Sequence, residues 1–182
     1  MTGIVNSTGA KSGIIGTTVG TPSGGKVLQV VQEVEIGIGA TTSTGGWDDE
    51  IDSGVLFLDT TITPSATSSK IFVMVNLNIG ISVSNIGAFW RIVRGSTPIY
   101  VPTAGGPTRQ LTSAFPRSPS DGTIINSNAV YLDSPSTTSA TTYKIEWRVQ
   151  SGTAYLNRGG DNSDEVQIGR TASSMTLIEI GA

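Results

Sequence analysis

The chain has no histidine and no cysteine. Without histidine it lacks the commonest general base, the commonest zinc ligand and the side chain that ordinarily changes charge near neutral pH. Without cysteine no disulfide can hold the fold, and the redox compartment leaves no trace in the sequence. Charge is scarce as well: 14% of the 182 residues are charged, and the net charge is −3. The eleven lysines and arginines are scattered, with none of the basic stripe that a nucleic-acid partner requires. No apolar run approaches the roughly 18 residues of a membrane-spanning helix. The opening residues Met1-Thr2-Gly3-Ile4-Val5-Asn6 lack the basic start and apolar run of a secretory signal. These absences lead to the expectation of a soluble protein made in the cytoplasm, with neither nucleic acid nor membrane as partner.

What is abundant is glycine, with 23 residues, together with serine and threonine. These load turns and strand surfaces, and β-branched runs lie between them. The length suits one domain, able to bury roughly 70% of the surface its unfolded chain exposes. Residues 1–25 stand apart as an arm rich in Gly, Ser and Thr, with isolated aliphatics at Ile4, Val5, Ile14, Ile15 and Val19. They keep neither a helical nor a strand period, which fits a disordered tail or an arm that orders on a neighbouring subunit.

From Lys26 onward the chain reads as strand after strand. Over 26–38, Leu28, Val30, Val34, Ile36 and Ile38 share one face, and Gln29, Glu33 and Glu35 the other. That alternation predicts a half-buried strand with its aliphatic face inward. Over 70–83, Ile71, Val73, Val75, Leu77, Ile79, Ile81 and Val83 line one face opposite Asn76, Asn78 and Ser82. Further strands are predicted at 55–62, 87–94, 97–101, 123–133, 141–150, 153–158 and 172–180, and no window supports an amphipathic helix of more than two turns. About nine strands at irregular spacing, joined by Gly/Pro/Ser turns, predict a sandwich or barrel over 26–182. The long 102–122 connection is expected to be functional or to pack on a partner.

Few constellations could carry chemistry. Gly20-Thr21-Pro22-Ser23-Gly24-Gly25-Lys26-Val27 imitates a phosphate-binding loop, but Val27 stands where a magnesium-binding hydroxyl is needed. A strand also follows it where that motif requires a helix. Acidic clusters at Asp48, Asp49, Glu50 and Asp52, and at Asp161, Asp164 and Glu165, lack EF-hand spacing. They read as turns with Asx-type hydrogen bonds, so no metal and no cofactor are expected. Paired carboxylates for glycoside hydrolysis are set in three dimensions, and the sequence leaves that pairing open. A nucleophilic serine would need a lysine or amine as base, and Lys11, Lys26, Lys70 and Lys144 offer no such pairing. No catalytic residue is therefore nominated, and the chain is read as a non-enzyme. Trp47 and Phe115, aromatics in loops, are candidate contact residues.

The arm text NSTGAKSGIIGTTVGTP, the strand VLQVVQ, the segment ITPSATSSKIFVMV and the closing TLIEI together resemble small structural proteins of tailed phages. The resemblance covers most of the chain, least in the middle loops. It implies an antiparallel jelly-roll sandwich, of the kind found in tumour-necrosis-factor and complement-type heads, preceded by a short extended N-terminal arm. It further implies a homotrimer located on the virion as a capsid decoration or cement protein. The arm residues named above would then grip the major capsid protein or another virion protein. The alternative is a tail-fibre tip that binds a host receptor or glycan through the 102–122 loop and the acidic turns.

Overall fold

Alternating apolar residues produce a strand because successive side chains point to opposite faces of an extended backbone. In the computed structural model, which describes residues 25–52, 55–103, 105–106 and 108–181, this alternation builds twelve strands and no helix. The expected arm, with Ile4, Val5, Ile14, Ile15 and Val19, lies outside the described residues.

Six strands form one sheet. Its middle is β6 (Lys70–Ile81), which pairs with β9 (Ile124–Asp133) on one side. On the other side β6 meets β12 (Ser173–Ile180) and β11 (Ala154–Leu156) end to end. Beyond these lie β1 (Val27–Glu35) against β12 and β2 (Gly39–Thr41) against β11. Four strands form the second sheet in the order β5 (Thr60–Ile62), β10 (Thr141–Val149), β7 (Ala88–Arg94), β8 (Thr97–Ile99). A small hairpin of β3 (Glu50–Asp52) and β4 (Val55–Leu56) completes the set. All pairings are antiparallel. The eight main strands run β1-β12-β6-β9 in one sheet and β5-β10-β7-β8 in the other, and the chain crosses repeatedly between the two. That is the double Greek key of a jelly roll.

The core lies between the sheets. Ile71, Val73, Val75, Leu77, Ile79 and Ile81 of β6 and Met175 and Leu177 of β12 face Trp90 and Ile92 of β7 and Tyr143, Ile145, Trp147 and Val149 of β10. Each such buried side chain contributes on the order of 1.5–3 kcal/mol. Polar clasps tie the sheets at their margins. Trp90 Nε1 donates to Ser127 Oγ at 2.9 Å. Arg94 Nη1 and the Tyr143 hydroxyl both donate to Asp133, at 2.7 and 2.6 Å. Burial, reinforced by the Asp133 carboxylate, pushes the Tyr143 hydroxyl far up, so it stays protonated and donates at any physiological pH. Within the six-stranded sheet lies the buried Asn157, in the left-handed region with φ 60°. Its Nδ2 donates to the carbonyls of Glu35 and Gly37, and its Oδ1 accepts from Ser173 Oγ. It thus fixes the bend between β1 and β2.

Two expectations need correction. Residues 55–62 are not one strand: the backbone breaks at Leu58, with φ 45°, leaving β4 and β5 on either side. The 26–38 segment has the expected period but the opposite facing. Gln29, Glu33 and Glu35 point inward and are half-buried, while Leu28, Val30, Val34, Ile36 and Ile38 are exposed. Within the 102–122 connection, residues 113–118 run along this chain's own four-stranded sheet. Ala114 and Arg117 bridge to Trp90 and Gly87 along the edge of β7 that β8 leaves open.

Candidate functional site

Inward polar groups on β1 are stable only because partners from distant segments meet them. Gln29 Nε2 donates to Glu179 Oε2 at 2.6 Å and to the Thr63 carbonyl at 2.7 Å. Thr60 Oγ1 donates to Glu33 Oε2 at 2.9 Å. Glu179 also accepts from the Ser65 amide and hydroxyl, both at 2.7 Å. Burial alone would raise the Glu179 carboxyl. The donors of Ser65 and Gln29 outweigh it and bring the group down to about 2. Burial moves Glu33 the other way, upward, against the hydrogen bond from Thr60.

With the polar side of β1 turned inward, its aliphatic side joins the outward face of the six-stranded sheet. The strand registers place Val30, Ile178, Phe72 and Leu132 side by side across four strands. The next row is Gln32, Thr176, Met74 and Val130, and the next Val34, Ser174, Asn76 and Asn128. Val30 is 58% exposed and Leu132 51%. Apolar side chains at one end therefore grade into amides at the other. Asn126 Nδ2 donates to Asn76 Oδ1 and Asn78 Oδ1, and Asn128 Nδ2 to Asn126 Oδ1, forming a ladder across β6 and β9. A depression of about 430 Å³ lies between Gln32, Met74, Thr176 and the ladder. None of these rows contains a charged residue.

The outward face of the four-stranded sheet is built differently. Arg91 of β7 pairs with its register partner Glu146 of β10 at 2.5 Å, and the Trp47 ring covers the Arg91 guanidinium at 4.1 Å. Lys144 pairs with Asp49, lowering the Asp49 carboxyl and raising the Lys144 amine. Asp48 exchanges backbone hydrogen bonds with Trp147, extending the edge of β10 past β5. Trp47, nominated from sequence, thus serves as a lid on an ion pair.

Phe115, the other nominated aromatic, stacks on Phe89 with ring centres 4.4 Å apart and planes 14° from parallel. Gly87 makes room for it, since a Cβ there would collide with the Phe115 ring. Together with Arg109, Gln110, Arg117 and Arg148, the two rings line a cleft of about 600 Å³. Arg148 Nη1 donates to Gln110 Oε1 at 3.0 Å, while its buried Nε has no hydrogen-bond partner. None of these three arginines makes an ion pair among the described residues, whereas Arg91 and Arg94 do.

The acidic turns are locally occupied. Asp48 accepts from Thr41 Oγ1 and from the Glu50 amide, and Asp161 accepts from the Ser163 amide two residues on. No group of three or more metal-ligating side chains gathers among the described residues. The lysine of the apparent phosphate loop, Lys26, leads straight into β1. Sequence reasoning missed both the bare sheet face and the arginine cleft. A signal for the cleft existed: from Gly95 to Ser120 the chain holds Arg109 and Arg117 but no aspartate or glutamate.

Neither a scan against protein-family models nor a search of curated proteins finds a match to this chain.

Proposed function

We propose that this chain is a non-enzymatic structural protein of a virus particle that works as a homotrimer joined through the outward face of its six-stranded sheet. The observation that carries the reading is that face itself. Val30 and Leu132 are exposed, and Ile178 and Phe72, partly buried, join them in one apolar row across the sheet. Contiguous apolar surface of this kind is characteristic of interaction sites. Its chemistry favours a second copy of the same chain. In a cyclic trimer one patch meets a different patch of the next copy, and a face without charges presents none that such a contact would have to desolvate. An amide both donates and accepts, so the Asn76, Asn126 and Asn128 ladder can pair with the next copy.

The particle location rests on the resemblance of the arm and strand text to phage structural proteins. In this reading residues 1–25 attach the trimer to capsid protein, and Ile4, Val5, Ile14, Ile15 and Val19 supply the buried contacts that offset ordering of the arm. Deleting residues 2–20 is expected to leave a folded trimer that no longer binds particles. Unchanged occupancy on imaged particles would refute the attachment role.

A second reading, a tail-fibre tip that binds a host receptor or glycan, is favoured by the cleft of Arg109, Arg117 and Arg148. The two readings part in a cell-binding assay: only a receptor-binding tip adheres to host cells as the isolated protein.

A further inference from the structure

We infer that the cleft formed by residues 108–117 on the four-stranded sheet binds an acidic saccharide, a sugar bearing a carboxylate. The inference deepens the receptor-binding reading by naming the ligand's chemistry. It does not depend on self-association, because the cleft and the bare apolar face lie on opposite outer sides of the sandwich.

Arginine is scarce here, and where it sits elsewhere on the strands it has an anionic partner. Arg91 holds Glu146 and Arg94 holds Asp133. Arg109, Arg117 and Arg148 converge on one cleft that no carboxylate lines. Three like charges gathered without a counter-charge repel one another, which an anionic occupant relieves. A guanidinium fork matches the planar carboxylate with two parallel hydrogen bonds. Arg148 is positioned by the lining itself. Its Nη1 is held by Gln110 Oε1, and its buried Nε lacks any acceptor. Gln110 thereby fixes the Arg148 guanidinium along the cleft wall.

The remaining lining points to a sugar ring attached to that carboxylate. The Phe115 ring, backed by Phe89 and 44% exposed, offers apolar surface against which the C–H face of a pyranose packs. Gln110 supplies an amide for ring hydroxyls, and a volume of about 600 Å³ is within the range of small-ligand sites. A bare inorganic anion would use the arginines and leave the aromatic wall idle.

The wall is also held in place. The Thr112 hydroxyl donates to the Trp90 carbonyl, and the Ala88 amide donates to the Pro116 carbonyl at 3.0 Å. These bonds anchor the segment on either side of Phe115 to β7, so the cleft is preformed in the free protein.

The test is calorimetric titration of the full chain with two acidic probes, trigalacturonate and 3′-sialyl-lactose. Each is set against its neutral counterpart, the methyl-esterified trigalacturonate and lactose, and inorganic phosphate serves as a plain anion. The expected result is binding of at least one acidic probe, about tenfold or more tighter than its neutral counterpart and than phosphate. The exposed pair Arg109→Gln/Arg117→Gln is expected to abolish that preference without changing the circular dichroism spectrum or the particle mass. Equal binding of acid and neutral sugar overturns the inference, as does phosphate binding as tightly as the sugars. A double variant that still discriminates also overturns it. So does no binding of either acidic probe up to about 10 mM. If that last result came with continued adhesion of the protein to host cells, the receptor reading would stand and only the saccharide assignment would fall.

Discussion

The two outer faces of the sandwich are finished in different ways. On the four-stranded side the chain completes itself. Residues 43–48 extend the edge of β10, residues 113–118 extend the edge of β7, and Trp47 and Asp49 close over Arg91 and Lys144. On the six-stranded side nothing within the described residues covers the apolar row of Val30, Ile178, Phe72 and Leu132. A chain with only 14% charged residues places several of its ion pairs on the first face and none on the apolar rows of the second. The contrast is between a face carrying ion pairs and added edge segments and a face whose apolar row has no cover among the described residues.

Substitutions in the core and on the bare face should therefore fail differently. The largest effect is expected for Trp147→Ala. This ring is fully buried against Phe57, and its Nε1 donates to the Glu50 carbonyl at 3.0 Å. Its loss should cost about 3–5 kcal/mol in urea unfolding and speed hydrogen exchange across residues 43–50. Leu132→Ala, on the bare face, should instead leave the isolated fold intact and weaken association.

Next in size is Glu179→Gln, expected to cost about 2 kcal/mol because a carboxylate with three donors becomes an amide facing an N–H. It also reports on pH. Folded Glu179, at about 2, binds its proton more weakly than the unfolded chain, near 4.5. Its contribution is thus full above about pH 4.5 and is lost as pH falls toward 2. Glu33 is raised by burial and has the opposite sign, so its ionisation on going up in pH costs stability. Chemical denaturation between pH 2 and 5 should show a flatter acid limb for Glu179→Gln than for the parent. An unchanged limb would mean that the β1–β12 margin is not held as described.

The smallest effect is expected for Arg91→Ala. The Arg91–Glu146 pair is partly solvated, so about 1 kcal/mol or less should be lost, with no change in mass. A larger loss would show that the Trp47 lid contributes more to the four-stranded side than an ordinary surface pair.

Much of the strand plan is legible in the order of the amino acids. The alternation in 70–83 and 141–150 corresponds to β6 and β10, because strict period-2 text has one stable reading. What such text does not convey is direction. The aliphatic side of 26–38 reads as core, yet Gln29 and Glu33 take the inward side because Glu179, Thr63 and Thr60 await them there. Those partners lie far along the chain, and pairing at that range leaves no local pattern. The same holds for the cleft, where Arg148 joins Arg109 and Arg117 only after β10 docks beside β7. Trp47 and Phe115 are recognisable as loop aromatics, but what each covers depends on folding.

The central claim, that the bare six-stranded face joins copies of the chain, is tested most directly by sedimentation equilibrium of the full chain beside Val30→Asp/Leu132→Asp. The account predicts a parent mass about three times the 18.8 kDa of one chain and a folded monomer for the double variant, since an aspartate at each site would bury an unpaired charge in the apolar contact. A parent that is monomeric at all concentrations, or a double variant that stays trimeric, would contradict it.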